Sequence, residues 1–157
     1  MQSYVLTIDK FLDHAAKWSG KQEIVSAEAG QVTGRIDYAT LRSRSNHLSG
    51  ALKALGLRFG DRLGTLAWNT QHHLEMYFAS MGAGLVCHTL NPRFTVAHLA
   101  AIINEAENRA LAVASSLVPL LRELASLCPT IEHVILMDDK AADAVGVAGL
   151  KAKVWMH

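Results

Sequence analysis

Gly60-Asp61-Arg62-Leu63-Gly64-Thr65-Leu66-Ala67-Trp68-Asn69 decides the fold. Gly60-Asp61 is a turn. Residues 62–67 are a short run with an apolar interior, which suits a strand buried on both faces. Residues 71–81 then place Leu74, Tyr77, Phe78 and Met81 at helical spacing, which predicts a helix turning that face to the core. Gly82-Ala83-Gly84 ends it. The unit then repeats. Residues 85–90 read as a strand and Asn91-Pro92-Arg93-Phe94 as a loop, because proline lacks a donor and turns residue 91 away from helix. Thr95 caps a helix with Leu99, Ile102, Ile103 and Ala106 inward. Residues 111–114 form the next strand. Ser116 caps a helix with Pro119 in its first turn and Leu120, Leu121, Leu124 and Leu127 inward, Cys128-Pro129 ends it, and residues 133–137 are a last strand. Buried strands alternating with helices imply an α/β fold, a parallel sheet of βα repeats covered by helices on both faces. Ligands of such sheets bind beyond the carboxyl ends of the strands, here at Trp68-Asn69, Asn91-Pro92-Arg93 and Ser115-Ser116.

Upstream, Ile8, Phe11, Leu12, Ala15 and Trp18 share one helical face, with Thr7 as cap and Gly20 as stop. Residues 23–26 and 31–36 form a hairpin around Glu28-Ala29-Gly30. Asp37 caps the next helix, whose stripe Tyr38, Leu41, Ser45, Leu48, Leu52, Leu55 alternates spacings of three and four until Gly56 stops it. Downstream the composition changes. Residues 141–157 are rich in small side chains and carry no amphipathic helix. The chain therefore divides into an α/β unit, residues 1–140, and a tail, 141–157, expected to be disordered or a truncated continuation.

The 157 residues fit one domain, and 50% hydrophobic against 18% charged is a globular balance. Fifteen Lys+Arg against fourteen Asp+Glu leave a net charge of +1, without the basic excess of a nucleic-acid binder. Cys87 and Cys128 form no disulfide framework, and residues 1–10 lack the pattern of a signal peptide. No apolar run approaches the ~18–20 residues of a membrane span. A cytoplasmic location is expected.

Chemical motifs are sparse. There is no phosphate loop of the GxxxxGK type, and Gly82-Ala83-Gly84 follows a helix and precedes a strand, the reverse of the dinucleotide order. His72 and His73 are adjacent and diverge by about 100° on a helix. His14, His47 and His98 are scattered, so no metal site is expected. His88 sits near a strand end, where it is either a hydrogen-bonded structural group or a site residue. Ser115-Ser116 reads as a cap, and Asp138-Asp139 as solvated carboxylates. No acid/base pair or nucleophile assembles, so no catalytic residue is assigned. Arg93, on a rigid loop after a strand, either holds a phosphate or makes a surface ion pair.

The residues 60–69 quoted above, then His73-Leu74-Glu75-Met76-Tyr77-Phe78-Ala79, Gly82-Ala83-Gly84 and His88-Thr89-Leu90-Asn91-Pro92-Arg93-Phe94, resemble the N-terminal part of AMP-forming acyl-CoA synthetases. Ile36-Asp37-Tyr38-Ala39-Thr40-Leu41 looks like that family's Thr-Tyr-x-x-Leu helix start, with Asp37 for the usual threonine. The wording is nearest to bacterial medium- and long-chain fatty acid–CoA ligases and covers about residues 7–137.

The resemblance implies a two-step reaction. ATP and Mg activate a fatty acid as the acyl-adenylate with release of pyrophosphate, and coenzyme A then displaces AMP. It also implies that Arg93 approaches the CoA phosphates and that His88 lines the acyl or pantetheine channel. The family's phosphate loop, adenine motif, ribose aspartate and C-terminal lysine have no counterpart in these residues. The chain alone is therefore expected to be inactive and to bind none of ATP, CoA or Mg tightly. An exposed apolar face, suited to a homodimer, is expected where further structure would dock. The alternative is a free-standing α/β binding module without catalysis.

Overall fold

A computed structural model describes residues 7–137 and the strand at 151–154. The elements run α1 (Asp9–Ser19), β1 (Glu23–Glu28), β2 (Gln31–Asp37), α2 (Tyr38–Ala54), β3 (Arg62–Leu66), α3 (Gln71–Gly82), β4 (Val86–Leu90), α4 (Val96–Glu105), β5 (Ala110–Val113), α5 (Val118–Ala125), β6 (His133–Leu136) and β7 (Lys151–Val154). Strands β3 to β7 form one sheet in the order β4-β3-β5-β6-β7, every pairing parallel. The hairpin β1-β2 stands apart. It closes through Ala29 and Gly30, both at positive φ (49° and 80°), the twist that tight two-residue hairpin turns require.

The sheet has a core on each face. Leu66, Leu111, Val113, Val134 and Leu136 pack against Leu99 and Ile103 of α4 and Leu121 and Leu124 of α5. Leu63, Ala110, Ala112 and Ile135 point the other way, onto Leu48 and Leu52 of α2 and Met76 and Ala79 of α3. A smaller outer core joins Leu12 of α1, Ile36 of β2 and Leu41 of α2, with Leu74 and Phe78 of α3 against it. Helices on both faces satisfy the apolar strands, as expected of a parallel sheet.

Caps follow the residue chemistry in three places. Asp37 Oδ1 accepts the Thr40 amide at 2.7 Å, Thr70 the His73 amide and Thr95 the His98 amide. At α1 the cap position is Ile8 rather than Thr7, and α5 follows a 3₁₀ turn with Leu117 before it, so Ser116 is not its cap.

Several inward faces differ from the periodicity. In α1 only Leu12 is buried, while Ile8, Phe11 and Trp18 are 50%, 60% and 69% exposed. Leu127 lies beyond α5 and is exposed. Helix α3 buries His73, Glu75, Met76, Ala79 and Ser80, because it lies between the sheet and the outer layer of α1 and hairpin. Within residues 141–157, expected to be disordered or a truncated continuation, β7 adds a strand beside β6. Asp138 and Asp139 lie outside the described residues.

Candidate functional site

Two hollows open at the carboxyl end of β3. This strand hands over to α3 on one face of the sheet, whereas its neighbours β4 and β5 hand over to α4 and α5 on the other. Diverging exits of this kind leave a crevice beyond the strand ends, the usual ligand position in open parallel sheets.

The larger hollow, about 560 Å³, lies between the ends of β3 and β5 and is roofed by the hairpin. Ala67, Trp68 and Asn69 form one wall and Ala114, Ser115 and Ser116 another, with Ser26, Thr33 and Gln71 contributed by the hairpin and α3. Gly34 leaves room for the Gln71 amide, since a Cβ there would stand 2.7 Å from its Oε1. The Gln71 backbone N–H donates to Ser26 Oγ at 2.9 Å, tying hairpin to helix. Trp68 stands 43% exposed on the rim of both hollows.

The second hollow, about 400 Å³, lies between the start of α3 and the β4–α4 loop, and Arg93 is on its lining. Asn91 Oδ1 accepts the Arg93 amide at 3.0 Å, an Asx-type bond that holds the loop closed at Pro92. Arg93 is exposed, and its guanidinium makes no ion pair among the described residues.

His88 is elsewhere. It lies opposite Gly64, and its Nδ1 meets Asn108 Oδ1 at 2.8 Å in front of the amino end of β5. It lines neither hollow. The structure therefore does not bring His88 and Arg93 together.

His73 was not singled out in the sequence, where it stands as one of two adjacent, diverging histidines. It is 6% exposed, and its Nε2 meets Thr65 Oγ1 at 2.9 Å. Burial pushes the imidazole below its ordinary pKa, and the Trp68 backbone, which favours the charged form, does not offset it. The signal available was Thr65, a hydroxyl in the middle of an apolar strand that needs a partner once buried.

The opposite end of the sheet is a scaffold. Arg109 donates to Asp61 Oδ2 at 2.7 Å, Glu132 Oε2 at 2.9 Å and the Gly56 carbonyl at 3.0 Å. Burial raises the Asp61 carboxyl, but the Arg58 amide and the Arg109 guanidinium outweigh it and hold it below the usual range.

Fit to the cofactors differs. Among the described residues no group of His, Cys, Asp and Glu is arranged to hold a metal ion, and no glycine-rich loop cradles a triphosphate. These residues do not fit ATP with Mg. The Arg93 hollow sets one cation beside a cleft whose lining carries no carboxylate. No helix among the described residues is long and apolar enough to cross a membrane.

Comparison with known proteins agrees with the fold. The chain is 39% identical over 145 residues to a 3-methylmercaptopropionyl-CoA ligase of Ruegeria lacuscaerulensis, covering 92% of this chain and 27% of that protein. It is 38% identical over 143 residues to a long-chain fatty acid–CoA ligase of Thermus thermophilus, covering 91% and 26%. The chain thus spans about a quarter of the length of these relatives. A solved mutant form of coronafacic acid ligase from Pectobacterium brasiliense superposes with a TM-score of 0.79 at 17% identity, over 96% of this chain and 28% of that one. With the AMP-binding enzyme family matching residues 11–154, the chain belongs to that family, among the AMP-forming acyl-CoA ligases.

Proposed function

We propose that this chain is the N-terminal scaffold of a fatty acid–CoA ligase, which converts ATP, a fatty acid and CoA to acyl-CoA, AMP and pyrophosphate through an acyl-adenylate. The observation that carries the reading is the Asn91-Pro92-Arg93 loop at the end of β4, with an unpaired guanidinium over a hollow that lacks carboxylates. In this reading Arg93 holds a phosphate of the CoA nucleotide. A fatty acid is the substrate class favoured by the relatives named for it, although another relative is named for a sulfur-containing short acid.

Among the described residues no carboxylate cluster or phosphate loop is arranged for phosphoryl chemistry, so the activity expected of the chain by itself is nil. Pyrophosphate release from ATP and a fatty acid stays at the level of buffer, and turnover clearly above that level contradicts this part of the proposal. Self-association is expected through the apolar side chains that α1 exposes.

A further inference from the structure

Helix α1 presents a face that neither hollow uses. At about 100° per residue, Lys10, Phe11, His14, Lys17 and Trp18 fall within one arc of about 120°, and Lys21 follows just past the helix end. Burial agrees: Phe11 and Trp18 are 60% and 69% exposed, His14, Lys17 and Lys21 are exposed, and Leu12 joins the outer core. The Lys17 ammonium stands 5.1 Å from the centre of the Trp18 ring, so the aromatic surface is edged by positive charge. Nearby acids are turned away or neutralised. Asp9 lies beside Gly82 of α3, Asp13 is paired with Arg42, and Glu23 with Arg35 at 2.7 Å.

The composition of this face selects its occupant. Lysine is almost never fully buried unless paired, and it is depleted from protein interfaces, so aromatics flanked by lysines are ill suited to burial against protein. Two copies brought face to face would also set ammonium against ammonium. An anionic bilayer meets both conditions. Indole and phenyl rings partition into the headgroup region, while lysine stems lie along them and keep their charge among lipid phosphates. We propose that α1 is a docking face for an anionic lipid surface, with Phe11 and Trp18 entering the headgroup layer and Lys10, Lys17 and Lys21 meeting the lipid phosphates. The contact is peripheral and reversible, because so small an apolar area falls short of a stable anchor. In water alone the same apolar side chains are left to a second copy, and the bilayer displaces it. The proposal does not depend on the role of Arg93.

The test is co-sedimentation of the 157-residue chain with vesicles of phosphatidylcholine alone and of phosphatidylcholine mixed equally with phosphatidylglycerol, at low and high salt. Affinity for the anionic vesicles is expected to exceed that for the neutral ones about tenfold or more and to fall with salt, since each lysine at such a surface contributes about fivefold. Lys17→Glu with Lys21→Glu should remove the preference. Phe11→Ser with Trp18→Ser should weaken binding to the anionic vesicles about tenfold or more. All four side chains are exposed, so the fold is expected to survive. Should the reversed charges prevent folding, Lys17→Ala with Lys21→Ala takes their place. Equal affinity for the two vesicles, a preference that the lysine variant keeps, or no binding to either overturns the proposal. A self-associated chain that stays unbound among anionic vesicles assigns the face to a second copy instead. Tighter binding to polyglutamate than to the anionic vesicles overturns the lipid in favour of an acidic protein.

Discussion

Asn108 occupies the space that a side chain at Gly64 would need: a Cβ on residue 64 would stand 2.3 Å from Asn108 Nδ2. Leu111 Cδ1 would be 2.8 Å away on the same side. Asn108 is fully buried and fixes His88 through its Oδ1, so it cannot withdraw to solvent. Gly64→Ala is therefore expected to destabilise the chain by about 1–3 kcal/mol, the cost of overpacking. Denaturant midpoints measure it. Gly34→Ala is the contrast. There the obstructing atom is the far end of the flexible Gln71 side chain, and a smaller loss is expected. Equal losses at the two sites would refute the steric account.

The Arg109 cluster predicts an acid response. The Asp61 carboxyl lies below its ordinary pKa in the folded chain, so it contributes stability above the unfolded value near 3.8. That contribution is lost as pH falls through the folded pKa. Arg109→Ala removes one of the donors that lower it and should cut the melting temperature by about 2–4 °C at neutral pH, with less further loss on acidification. A variant that melts in parallel with the parent from neutral to acid pH shows that Arg109 does not set the Asp61 titration.

His73 titrates with the opposite sign. Its imidazole has a lowered pKa in the fold, whereas the unfolded chain takes up the proton near the ordinary 6.5. The unfolded state therefore binds more protons below that pH. Stability is whole above about 6.5 and declines below it by at most about 1.4 kcal/mol per pH unit, until the folded pKa is reached. Unfolding midpoints on either side of this window measure the slope, and His73→Gln should flatten it. An unchanged slope in that variant assigns the effect to another group.

The strands and the α2 stripe were legible because each has one environment. Leu41, Ser45, Leu48 and Leu52 follow a single buried face, and Asp37 and Thr95 cap by local chemistry alone. Helix α3 was legible as a helix but not in its buried face, because Met76 and Ala79 meet the sheet while Leu74 and Phe78 meet the outer core. Arg93 was legible as a cation on a loop after a strand. The His73–Thr65 contact was not, because it depends on how closely α3 sits on β3, a tertiary distance that spacing along the chain does not contain.

Trp18 carries the last prediction. Ile8 just before α1, and Phe11 and Trp18 on it, are each at least half exposed, whereas Leu12 is buried. The Lys17 ammonium 5.1 Å from the indole centroid and the nearby His14 ring cover Trp18 only in part. Removing that apolar surface from water favours association at about 25 cal/mol per Å², whereas its loss costs the monomer little because most of it is exposed and joins no core. The purified chain should therefore sediment as a dimer or larger. Phe11→Ser with Trp18→Ser should return it to a monomer while changing folding stability by no more than about 0.5 kcal/mol. If the double variant still associates, α1 is not the contact, and the next surface to alter is around Phe59, which is 91% exposed beside Gly84.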